Sequence, residues 1–186
     1  MNAVDVANIF IELANADEDS CMTNLKLNKL VYFAQAWSLE KLGKPLFDEE
    51  VQAWKHGPVI PSVYHEFKKY GRERISKVSS NYDEDNVSSE ELDLIIDVAD
   101  RYNDYSGSKL RKLTHKVCGA WSQVYDETKT NKIPKELIRK DVENDDLNSL
   151  TERLDKIVSN LPQEGRHDED GHLILPEDTY PDWDEE

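Results

Sequence analysis

Residues Thr23 to Gly71 read TNLKLNKLVYFAQAWSLEKLGKPLFDEEVQAWKHGPVIPSVYHEFKKYG, and the fold turns on this stretch. Its first part carries Leu27, Leu30, Val31, Ala34, Trp37 and Leu42 at helical spacings on one face, with Asn28, Lys29, Gln35 and Glu40 opposite. Tyr32, Phe33, Ala36 and Leu39 widen the apolar arc, so the helix is expected to touch neighbours on more than one side. Thr23 is placed to cap its start, and Gly43 to end it in a left-handed conformation that a side chain would resist.

The run that follows, Lys44 to Ile60, is broken by Pro45 and Pro58 and followed by Pro61, which rules out a continuous helix. It still carries Leu46, Phe47, Val51, Ala53, Trp54, Val59 and Ile60, too apolar a set for a solvated linker. Anchored irregular segments of this length are often functional surfaces. Val51–Trp54 alternates as a short strand does, and Lys55-His56-Gly57-Pro58 has turn chemistry. Pro61 opens the next helix, with Val63, Tyr64 and Phe67 as its apolar members and Gly71 at its close.

Working outward, Val4, Ala7, Phe10, Ile11 and Leu13 predict a first helix over Asn2–Ala14 with Asn2 as cap. Ile75 and Val78 suggest a short strand beside Val51–Trp54. Ser88 with Glu91 has the form of a capping box, and Leu92, Ile95, Ile96, Ala99 and Tyr102 trace one helical face as far as Tyr105. After the break at Ser106-Gly107, Ser108 is read as the cap of a helix holding Leu110, Leu113, Thr114 and Val117 and ending near Cys118-Gly119. Trp121, Val124 and Tyr125 are expected to pack on the body, Pro134 to start a short helix with Leu137 and Ile138, and Leu147, Leu150, Leu154 and Ile157 to form a last amphipathic helix. The expected architecture is mainly α: one compact domain over 1–160 of six or seven helices with at most a two-stranded ribbon, then an acidic, disordered tail over 161–186.

Charge is unevenly placed. Residues 1–140 hold 23 acidic and 20 basic side chains (−3), whereas 141–186 hold 16 and 3 (−13), which together give the −16 of the chain. Such an anionic end opposes nucleic-acid binding and would instead speed encounter with a basic protein surface. No apolar run is long enough to span a membrane, the N-terminus lacks signal-peptide character, and two cysteines suit reduced thiols in a cytoplasmic protein.

Three strings occur in order: KLNKLVYFAQAWSL, PLFDEEVQAWKHGPVIPSVYHEFKKYG and LRKLTHKVCGAW. In combination they resemble the Panacea domain of SocA-like antitoxins and their phage-associated relatives, across Lys26 to Tyr125. The resemblance implies an antitoxin that neutralises a cognate protein toxin by direct binding. It also implies, for SocA-like members, an adaptor that delivers the toxin to the ClpXP protease. A phage or prophage accessory protein that binds a host factor with no toxin involved is the alternative, and a toxic reading frame next door discriminates the two.

No metalloprotease helix, phosphate loop, nucleophile elbow or Cys/His signature is present, so no catalytic residue, metal or cofactor is expected. The acid-flanked pair His167 and His172 would bind metal weakly at best. An enzyme built on His56 and His115, or a DNA-binding regulator using the four cations of Lys109–Lys116, would each need machinery the sequence does not display. The candidate partner-binding residues are Lys55, His56, Gly57 and Pro58 of the turn, with Tyr64 beside them and Thr114 and His115 of the LTH element. In the tail, His172–Leu175 is placed to add a strand to a partner's sheet, and Tyr180 and Trp183 to dock in a groove with a basic rim.

Overall fold

The computed structural model describes residues 1–16, 21–79, 87–102 and 104–143, together with the short strands at 166–167 and 173–174. Met1–Leu150 and Thr151–Glu186 form separate compact units.

Helix α1, Ala3–Asn15, begins where the sequence says it should. The Asn2 side chain accepts from the amides of Val4 and Asp5, and the Asp5 carboxylate accepts from the Asn2 amide, closing a capping box. Helix α2, Asn24–Trp37, is capped by Thr23 and runs on through a π-helical turn, Ser38–Leu42, to Gly43. It is the axis of the domain: α1, the helices Pro61–Phe67, Ser89–Tyr102, Gly107–Thr114 and Lys135–Lys140, and the strand Gly57–Val59 all contact it. Burial therefore extends right round it, and the polar face opposite Leu27 and Leu30 is enclosed too, with Asn28 2% exposed and Lys29 and Gln35 0% exposed. These side chains hold the irregular segment that follows. Gln35 accepts from the amides of Leu46 and Phe47 and donates to the Phe47 carbonyl, and Asn28 accepts from the Ile60 amide. Satisfying loop backbone in this way is what permits an irregular segment to lie against a core.

That segment contains β1, Gln52–Trp54, and β2, Gly57–Val59, an antiparallel hairpin with Trp54 opposite Gly57. A third strand pairs with β1, and it is β3, Asn131–Lys132, not the Ile75–Val78 segment suggested by its apolar residues. Ile75 is buried instead as a plug whose amide donates to the Met22 carbonyl. Helix α3, Pro61–Phe67, starts at its proline and passes through a 3-10 turn, Lys68–Tyr70, to Gly71.

Helix α4, Ser89–Tyr102, has the Ser88/Glu91 capping box. Its buried face is Leu94, Ile95, Val98 and Tyr102, and Leu92, expected on that face, is exposed. Helix α5, Gly107–Thr114, is capped by Ser106 rather than Ser108. Gly107, the first residue of the helix, sits directly on α2: a Cβ there would lie 3.2 Å from the Lys26 amide, a tight contact that glycine avoids. The helix also stops sooner than its pattern suggests, and Val117 stands 93% exposed on the turn that follows. Helix α6, Ala120–Val124, and α7, Lys135–Lys140, complete the body. Asp141 ties them inward, accepting from the Ala120 amide at 2.7 Å and the Tyr32 hydroxyl at 2.5 Å. Burial, together with the adjoining Asp141 carboxylate, raises the Tyr32 pKa well above its usual value.

In the second unit, β4, Arg166–His167, pairs antiparallel with β5, Leu173–Ile174. The amphipathic helix expected through Leu147–Ile157 lies outside the described residues, as do Tyr180 and Trp183.

Candidate functional site

The three motif strings converge on one place. Lys29, from the centre of α2, donates through Nζ to the Pro58 carbonyl at 2.6 Å. Gly57, beside it, has φ +103°, a backbone state open in practice only to glycine. A Cβ at Gly57 would meet Lys29 Nζ at 2.9 Å, Thr114 Oγ1 at 2.9 Å and His115 Cε1 at 3.1 Å. The hairpin turn is thus pressed against the C-terminal end of α5 with no room for a methyl group.

Two further contacts brace it. Trp121 Nε1 donates to the Trp54 carbonyl at 2.8 Å, and the Trp121 ring lies between His115 (centroids 3.9 Å apart) and Tyr125 (4.5 Å). On the other side, Trp54 packs edge-on against Tyr64 at 5.0 Å. His115 Nδ1 is 2.6 Å from the Arg111 carbonyl, which can only accept, so Nδ1 carries the proton. Nε2 is buried beside the Lys55 carbonyl without a well-formed hydrogen bond.

The electrostatics are one-signed. Burial, reinforced by the Arg111 guanidinium, pushes the Lys29 pKa down to about 7. Burial also lowers that of His115, with the charges of Arg111 and Lys29 acting in the same sense and the Arg111 and Lys55 carbonyls opposing. Lys29 has no solvent access, so its amine is an internal donor to the hairpin rather than a reagent.

Of the candidate residues, Lys55, His56 and Tyr64 are exposed, His115 is half-buried, and Gly57, Pro58 and Thr114 are buried. The second group braces the first. A cleft of about 440 Å³ opens beside the turn, between Trp54 and Lys55 on one wall and Tyr125, Asp126 and Lys129 on the other. Among the described residues, no group of three or more His, Cys, Asp or Glu side chains is placed to hold a metal ion, and no helix is long and apolar enough to cross a membrane.

Lys29 and Trp121 were not singled out as site residues by the sequence. The signal for Lys29 was its position: with Tyr32, Phe33 and Ala36 flanking the main apolar stripe, little of α2 was left to face water.

These features define a mainly α-helical domain that displays a β-hairpin turn locked from beneath by a buried lysine. The family model described as Antitoxin SocA-like, Panacea domain, matches residues 27–122, and the chain belongs to that family. The chain is similar to Antitoxin SocA of Caulobacter vibrioides (strain NA1000 / CB15N), with 42% identity over 71 residues, 38% of this chain and 37% of that protein. The similarity therefore spans little more than a third of the relative's length. No solved structure matches the chain.

Proposed function

We propose that the protein is an antitoxin that neutralises a cognate toxin by direct binding, and that the turn bearing Lys55 and His56, with Tyr64 alongside, is the surface it presents. Family membership supports the antitoxin role. The observation that carries the choice of surface is the bracing of an exposed turn by buried side chains: Lys29, Gly57, Pro58 and Thr114 fix the turn that displays Lys55 and His56, and Trp54 packs against Tyr64 beside it. Rigid presentation reduces the ordering cost of association, and exposed aromatic and cationic side chains are the usual anchors of protein interfaces. Residues 141–186, at −13, supply long-range attraction to a basic toxin surface.

Co-expression with the neighbouring reading frame, scored for rescue of growth, tests the reading; no rescue from any adjacent toxin removes it. Ending the chain after Asn160 is expected to slow toxin association and flatten its salt dependence, and unchanged kinetics would take the acidic segment out of the mechanism. Delivery of the bound toxin to ClpXP is the finer part of the proposal. Toxin turnover by ClpXP that does not depend on this chain would remove that part alone.

A further inference from the structure

A chain with 39 acidic residues in 186 contains three long stretches with none: Cys21–Leu39, Val51–His65 and Tyr105–Tyr125. Chain order separates them, but the fold brings them together. The first supplies Lys29 from α2, the second the hairpin turn, and the third α5 with His115 and Trp121. Exposed groups around their junction include Lys55 and His56 on the turn, His65 beside Trp54, Arg111 and Lys112 in the last turn of α5, and Lys116 just after it. Beneath them lie Lys29 and His115, on which the acting side-chain charges are cationic: Arg111 on both, and Lys29 on His115. No described carboxylate forms an ion pair with Lys29, Lys55, Arg111, Lys112 or His115. The carboxylates of the neighbouring cleft are Asp126 and Glu127, and Asp126 is already engaged by Thr128 and Lys129.

Cations at the C-terminal end of a helix are favourable in themselves, which accounts for Arg111 and Lys112 taken alone. It does not account for the acid-free turn set against them, nor for a lysine buried under an arginine with no counter-ion. The permanent charge of Arg111, over Lys29 and His115 that can take up protons beneath it, forms a positive potential that an incoming anion reinforces.

We propose that the face formed by Lys55, His56 and Arg111, at the end of the helix that also carries Lys112, receives a short acidic segment of the partner protein. The inference rests on the reading that this surface binds a toxin, and it adds the chemistry of what is bound. A peptide segment is favoured over nucleic acid because the chain as a whole carries −16. A long polyanion meets that repulsion along its length, whereas a short acidic segment feels mainly the charges within roughly 8 Å at physiological salt. Because Lys29 and His115 lie under the face, an acidic ligand favours their protonated forms, so its binding is accompanied by proton uptake and tightens as the pH falls from 8 to 6.

The test uses the full chain and two probes, a hexaglutamate peptide and a thymidine hexanucleotide, in calorimetric titrations at low salt in buffers of differing ionisation enthalpy. The expected result is hexaglutamate binding with net proton uptake, weakened at least tenfold in the double variant Arg111→Glu/Lys112→Glu, whose circular dichroism matches the wild type. No hexaglutamate binding at millimolar concentration, equal binding by the variant, or preference for the oligonucleotide each overturns the proposal. The same variant is then assayed for toxin rescue. If the wild type and the variant neutralise toxin equally, the acidic-segment inference fails and the antitoxin reading stands. If neither probe nor variant behaves differently from expectation but the wild type rescues nothing, the antitoxin reading fails and the anion-binding face stands.

Discussion

Replacing Lys29 with methionine isolates an electrostatic cost at the centre of this domain. In the folded chain the Lys29 pKa is about 7, against 10.5 for an unhindered lysine. The unfolded chain therefore holds the proton more tightly, and between those two values it binds more protons than the folded chain does. The stability this residue leaves to the protein rises with pH across that window and lies on a flat minimum below pH 7. At about 1.4 kcal/mol per unit, the penalty approaches about 5 kcal/mol at pH 6 and falls to about 2 kcal/mol by pH 9. Methionine fills a similar volume and has no such slope. It forfeits the hydrogen bond to the Pro58 carbonyl, a loss of about 1–3 kcal/mol that varies little with pH. Going from pH 6 to pH 9, the balance between the two proteins is expected to shift by about 3 kcal/mol in favour of the wild type. Lys29→Met should be the more stable protein at pH 6 and lose that advantage at pH 9. Urea unfolding of both at each pH measures the difference directly. Stability curves that run parallel from pH 6 to pH 9 would show that burial does not lower the Lys29 pKa, and would remove the electrostatic cost assigned to it.

Gly57→Ala combines a forbidden φ with a Cβ 2.9 Å from both Lys29 Nζ and Thr114 Oγ1. It is expected to destabilise by at least about 2 kcal/mol in chemical denaturation. Trp121→Phe removes the bond to the Trp54 carbonyl while retaining most of the ring stack, and should cost about 1 kcal/mol and speed amide exchange in the hairpin ahead of the rest of the domain. Asn2→Ala strips the cap from α1, which carries none of the candidate site residues; it should lower stability by about 1 kcal/mol and leave binding of any partner at that site unchanged.

How much of this was readable beforehand depends on the range of the interaction concerned. Helix starts at Asn2, Thr23, Ser88 and Pro61 were legible because a cap acts within one turn of the chain. The start of α5 was not, because Ser106 and Ser108 both offer a local cap, while Gly107 packs on Lys26 from a distant part of the chain. The strand partner of β1 is hidden from the sequence for the same reason. Ile75 is apolar enough to suggest a strand, but the edge is taken by Asn131–Lys132, whose polar side chains give no hint of it.

The candidate site divides along the same line. Local chemistry alone marked Lys55-His56-Gly57-Pro58 as an anchored turn, and the three motif strings carried the family resemblance that the match over residues 27–122 then bore out. Tertiary structure alone decided that Gly57, Pro58 and Thr114 lie beneath the surface and that Lys29, read as part of a polar face, is enclosed at the centre. A sequence pattern records which side of a helix is apolar. It does not record that a second element will cover the other side, and burial by that element changes Lys29 from a solvated charge into the donor that holds the turn.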